Sequence, residues 1–153
     1  MLEEECVAHV ELSWTEAAIA PKRSAPTWAA LDRWSAAVDG ASEPCLVIDS
    51  YANIVAASAS ASELLGFASA RAALGACLYD HALPLSDFTS EGAELSNDDI
   101  QRIPPIQALT SGLLARGVLR VRTAREIVTM DAVSTPVLDG DVIVGSLTFF
   151  CVV

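Results

Sequence analysis

Apolar positions in this chain fall into short runs separated by turn formers, a rhythm that predicts several strands and short helices. Cys45 to Asp49 is an apolar, β-branched run bounded by Pro44 and by Asp49-Ser50, and it reads as a strand buried on both faces. Ile54 to Ala57 is its hairpin partner. Ser60, Ala61, Ser62 and Glu63 match a capping box, which predicts a helix from about Ala61 to Gly66. Ser69 to Leu74 reads as a short capped helix, and Leu78 to Leu83 as another, broken by Pro84. Asp87 to Asp99 holds five acids and few large apolar residues, the composition of an exposed loop. From Pro105 a longer helix is predicted to about Arg116, with Ile106, Leu109, Leu113 and Leu114 inward and Gly117 ending it. Strands follow near Val118 to Thr123, Ile127 to Leu138 and Asp141 to Val152, the last two joined at Asp139-Gly140.

The first forty or so residues have a different texture. Val7 to Trp14 alternates as a strand would, yet Val7, Val10, Trp14 and Ala17 also share a helical face, and the preceding glutamates favour helix. Pro21 to Pro26 reads as a linker. Thr27 then caps a helix to Val38, in which Trp28, Leu31, Trp34 and Val38 form one apolar stripe. This divides the chain into an extension over 1–42 and a core domain over 43–153.

At 153 residues and 52% hydrophobic content, the chain can bury the core of one domain. No apolar run approaches the roughly 18 residues of a membrane span, and the acidic start lacks a signal peptide's basic flank, so a cytoplasmic address is expected. Cys6, Cys45, Cys77 and Cys151 are far apart with no metal-ligand spacing and read as free thiols. A net charge of −11 argues against nucleic-acid or anionic-membrane affinity. Arg116, Arg120, Arg122 and Arg125 form the basic cluster; Arg120 and Arg122 share a strand face, which is either solvated or turned to an acidic partner.

The run Leu46 to Phe67 resembles the N-terminal half of a PAS domain, through Asp49, Ile54, Val55 and the Glu63-Leu64-Leu65-Gly66-Phe67 helix end. Leu74, Gly75, Asp80, Pro84 and Asp87 match further landmarks, as do Pro136, Asp139, Gly140 and Gly145 in the last two strands. Two positions depart from the family pattern. Tyr51-Ala52 replaces an Asp-Gly turn, which implies another turn type or a role for Asn53, and Ser58 replaces an Asn at the helix entry. The resemblance implies an α+β fold, a five-stranded antiparallel sheet with short flanking helices, working as a sensory or regulatory module.

Such modules commonly dimerise through flanking helices, so a homodimer is implied, with Trp28, Leu31, Trp34, Val38, Arg120 and Arg122 as partner-contact candidates. The family register would turn Met130, Ala132 and Ser134 inward on the penultimate strand and Leu147 and Phe149 inward on the last. With Cys77, Tyr79, His81, Leu109 and Leu113 these are the pocket candidates. The wall is nearly all apolar, which fits either a small apolar ligand or a filled core serving a docking module. The haem-binding members' helix histidine is missing from Pro105 to Arg116, leaving His81 as a poor candidate. Around Cys77 the Asn, Arg and Gln of the flavin motif are missing. Haem and flavin are thus both disfavoured, no metal is expected, and no nucleophile, phosphate-loop or metal-hydrolase pattern points to an enzyme.

Overall fold

The structure, a computed structural model, describes residues 21–153, with side chains described from residue 29 onward. The Val7 to Trp14 segment, the acidic start and Cys6 lie outside the described residues, as does the side chain of Trp28. Helix α1 (Pro21–Asp39) leads into β1 (Cys45–Asp49) and β2 (Ile54–Ala57). Helices α2 (Ala59–Leu64) and α3 (Ala70–Ala73), a 3-10 turn (Leu78–Asp80), β3 (Leu85–Ser86), α4 (Asn97–Ile100) and α5 (Pro104–Ser111) form the middle of the chain. The long strands β4 (Ala115–Arg122), β5 (Ile127–Asp139) and β6 (Val142–Val152) complete it. The strands make one antiparallel sheet in the order β2-β1-β6-β5-β4-β3. The expected five strands are therefore six, the addition being the two-residue β3. The linker expected at Pro21 to Pro26 is instead the start of α1. Pro21 suits the first helical position, where the amide it lacks would have no intrahelical partner, and Pro26 in the second turn costs one i→i−4 bond.

Both faces of the sheet are buried, and each belongs to its own cluster. Alternation along β1 sends Leu46 and Ile48 to the inner face, where they meet Ile54, Leu65, Leu78, Ile106 and Met130. It sends Cys45 and Val47 to the outer face, where Ala30, Leu31 and Val38 of α1 cover them. Burying a leucine or valine in this way contributes roughly 1.5–3 kcal/mol each. Helix α1 is thus an integral layer of the structure, packed across β1, β2, β5 and β6.

The two departures from the family pattern are both accommodated. Ala52 adopts positive φ (66°), and the Asp49 carboxylate holds the turn by accepting the Tyr51 and Asn53 amides, each at 2.9 Å. Ser58 proves to be the N-cap of α2, so the helix starts ahead of the expected Ser60 box. Its hydroxyl accepts the Ala61 amide (3.2 Å) and the Cys45 amide (3.0 Å) and donates to the Glu43 carbonyl (2.8 Å). One buried hydroxyl therefore ties the helix entry to the start of β1. Ser58→Ala leaves three backbone groups short of a partner and is expected to cost about 1–3 kcal/mol, read from the urea midpoint at constant slope.

Helix α5 is shorter than its apolar pattern predicts. Gly112 takes φ 72° and caps the helix after Ser111, and the chain then enters β4 at Ala115. Leu113 and Leu114 consequently lie outside the helix and are exposed, at 69% and 67%. The glycine conformation ends the helix five residues before Gly117, which lies within β4.

Candidate functional site

The inner face of the sheet is where the sequence places a ligand pocket. Met130 and Ala132 of β5 do face inward and are fully buried, in one cluster with Leu109 of α5 and Phe150 of β6. Ser134 also faces inward, and its hydroxyl pairs with that of Thr148 at 2.7 Å. Ser146 donates to the Pro105 carbonyl at 2.9 Å. These hydroxyls are matched to one another and to backbone, and the apolar positions around them touch other side chains.

Several pocket candidates lie elsewhere. Leu147 is buried on the outer face against α1, and Phe149 lies on that face with 45% exposure. A β-bulge causes this: Val137 pairs with Gly145 and Leu138 with Ile143, leaving Val144 as the extra residue. The inward series of β6 therefore runs through Ser146, Thr148 and Phe150, opposite Pro136, Ser134 and Ala132. Leu113 is excluded from the wall by the early end of α5. Cys77 is half-buried, its thiol directed at the Tyr51 carbonyl at 3.6 Å, and Tyr79 packs partly against the inner cluster. His81 caps the 3-10 turn in the left-handed region, with Nε2 at 2.8 Å from Asn97 Oδ1 and Nδ1 at 3.2 Å from Glu94. Both ring nitrogens thus brace the following loop. Burial pushes the Cys45 thiol up, as suits a cysteine acting as a small hydrophobe.

Of the partner-contact candidates, Leu31 and Val38 are buried against the sheet, and Trp34 sits on the helix flank with 45% exposure. Arg120 and Arg122 share a strand face, but both hold their own chain. Arg120 Nη1 donates to the carbonyls of Asp87 (2.7 Å) and Thr89 (2.9 Å), and Arg122 Nη2 donates to that of Gly92. The acidic loop is exposed as expected, and its backbone is in addition pinned across the outer side of β3 and β4. Asp87 organises it: the Thr89 hydroxyl first, then the Thr89 and Ala93 amides and the Arg120 charge, hold its carboxyl below the usual carboxylate range. The remaining arginine of the outer face, Arg116, pairs with Asp131 at 2.6 Å.

A cleft of about 330 Å³ opens where this loop leaves the sheet, between Phe88 and Leu95 on one side and Ile103 and Pro104 on the other, beside Gly117 and Leu119 of β4. The sequence reading missed it. Its only written signal is the apolar pair of positions in Leu85-Ser86-Asp87-Phe88, and a strand of two residues is too short to register as a period.

No protein-family model matches the chain, and no curated protein matches it. Solved structures do. The PAS domain of BvgS from Bordetella pertussis is 13% identical, with 80% of this chain and 85% of that one covered and a TM-score of 0.56. The PAS domain of a Colwellia psychrerythraea protein is 18% identical, covering 80% and 96%, also at a TM-score of 0.56. VqmA of Vibrio cholerae, described as a dimer and a LuxR-type receptor, is 15% identical at a TM-score of 0.57, with 75% of this chain matched to 48% of that one. The chain spans about half of the VqmA structure. Among the described residues, no helix is long and apolar enough to cross a membrane. The strand order, the helices across the inner face and these structural matches agree: the chain has the PAS fold.

Proposed function

We propose that this chain is a sensory or regulatory PAS-type module that works by binding and not by turnover, with a filled inner core and its specificity on the surface. The observation that carries this reading is the state of the inner wall. Met130 and Ala132 are at 0% exposure, and the Ser134, Thr148 and Ser146 hydroxyls already have partners. A buried ligand needs both room and unmatched polar groups to orient it, and this wall offers neither. Signals would then enter or leave through contacts that favour one packing of α1 or of a dimer.

The outer face suits self-association. Trp34 and Phe149 are both 45% exposed there, and Val118 and Cys151 are exposed nearby on β4 and β6. Arg116 and Asp131 neutralise one another, so this patch escapes the repulsion implied by a chain charge of −11. A dimer is also what the VqmA structure is described as forming. Sedimentation velocity at micromolar concentration should show a dimer, with Trp34→Glu and Phe149→Glu each weakening it about tenfold or more while far-ultraviolet dichroism is unchanged. A monomeric wild-type protein would overturn the dimer. A small molecule retained in native mass spectra would overturn the filled core.

A further inference from the structure

We propose that the open edge of β4 is a docking lane for an extended peptide of alternating apolar and basic residues, which a partner protein adds to the sheet as a further strand. The backbone directions along β4 are known from its two ends. The Arg122 amide donates to the Pro84 carbonyl at 2.7 Å, on the β3 side, whereas the Thr123 amide donates to the Glu126 carbonyl at 2.8 Å, on the β5 side. Antiparallel ladders alternate, so even-numbered residues of β4 present their amides and carbonyls to the β3 side. Arg120 is met there by Ser86. Beyond it, Val118 and Arg116 face a lane that β3 has vacated.

The chain vacates that lane because Asp87 turns it away. Its carboxylate accepts the Thr89 and Ala93 amides, each at 3.0 Å, which closes the loop on itself directly after Ser86. Among the described residues, no amide or carbonyl from this loop or from α4 and α5 bonds to the backbone of Val118 or Arg116. The lane is also sheltered, since it adjoins the apolar cleft between Leu95 and the Ile103-Pro104 turn. Ser86 ends β3 at the wall of this cleft, with its hydroxyl buried beneath the Gly92 turn.

The surroundings select the occupant. A strand laid beside β4 turns alternate side chains inward, where Gly117, Leu119 and Pro104 accept an apolar group. Asp87 and Asp99 line the cleft, and the bordering loop and α4 carry the exposed acids Glu91, Glu94 and Asp98, while Arg120 and Arg122 are tied to loop carbonyls. Two cations line the cleft: Arg120, which is turned to the loop carbonyls, and Arg102, which approaches Asp99 at 4.0 Å. Basic outward residues are therefore favoured, and the net charge of −11 would speed their approach. The lane shares Val118 and Arg116 with the proposed dimer patch but uses their backbone groups, where the dimer uses side chains of the outer face.

The test uses the full chain and an acetylated, amidated hexapeptide of alternating lysine and valine. Hydrogen exchange should show the Val118 amide unprotected in the free protein and protected by the peptide. The same peptide N-methylated at alternate residues keeps its charge but loses its donors, and it should bind about tenfold more weakly or worse. Val118→Pro removes an amide that faces the open lane and leaves the β4–β5 ladder intact, so it should abolish binding without unfolding the sheet. Phe149→Glu should bind as the wild type does, even where it breaks the dimer. No binding at millimolar peptide, equal binding of the N-methylated peptide, or equal binding to Val118→Pro would each overturn the proposal. So would Val118 protection that rises with protein concentration in the absence of peptide, which would mean that a second copy fills the lane.

Discussion

Gly145→Ala is expected to destabilise the protein by about 3 kcal/mol or more, lowering the melting temperature by roughly 6–12 °C. A Cβ at this position would lie 2.1 Å from the Ile48 carbonyl oxygen and 2.9 Å from Leu31 Cδ2. The leucine side chain could rotate aside, but the carbonyl belongs to β1 at its junction with β6. Relief therefore requires two interior strands of the sheet to part, with α1 displaced as well. Gly40→Ala is the matched control, because its nearest obstacle is the Ala36 carbonyl at 4.0 Å and its backbone conformation is ordinary. That variant should stay within about 0.5 kcal/mol of the wild type. Calorimetric scans of both proteins check the pair, and a Gly145→Ala protein that melts within 2–3 °C of the wild type would mean a cost of only about 1 kcal/mol and a β1–β6 junction that yields easily.

The same glycine marks where the sequence stops being legible. Strand positions and the hairpin at Asp139–Val142 follow from apolar runs and turn residues, and the fold class follows from them. Which way each side chain points does not. Strict alternation with Leu147 and Phe149 inward fails at the bulge around Val144, because one extra residue reverses the faces of everything after it. Phe149 at 45% exposure and Phe150 at 4% are neighbours in the chain and equal in hydropathy, so composition alone could not assign them. The paired serine and threonine of β5 and β6 carry more information than the phenylalanines, since a buried hydroxyl needs a partner directly across.

The middle of the chain was legible for a different reason and in a different degree. Its helices are too short for periodicity to fix them, so caps decide their bounds. Ser69 and Ser96 cap α3 and α4 by accepting the Ala72 and Asp99 amides, each at 3.1 Å. Gly112 overrides the apolar pattern that would extend α5 through Leu113 and Leu114. The acid-rich loop is largely exposed, as its polar composition suggests, but two arginines thirty or so residues downstream also bind its carbonyls. Contacts made by backbone atoms leave no trace in the residue types that make them. The β4 edge is hidden from the sequence in the same way, since an unpaired amide is a property of what fails to lie beside it.

Met130→Ala is expected to cost about 2–5 kcal/mol, and its consequence bears on how the domain works. Met130 is fully buried on the inner face of β5, opposite Leu119 of β4 and in the cluster that includes Ile106 and Phe150. The neighbours are held by the sheet and by α5, so truncation leaves a void that they can only partly close. Its lining is apolar, and such a void stays dry and accepts small apolar molecules. Benzene or pressurised xenon should therefore raise the melting temperature of Met130→Ala, by an amount that grows with the logarithm of ligand concentration. The wild-type protein should not respond, because Met130 itself occupies the space. An equal response of the wild type would mean that the inner face holds a natural cavity, and the apolar-ligand reading of the sequence would then replace the filled core. A response confined to the variant would instead show that the methionine side chain itself fills the inner face of the sheet.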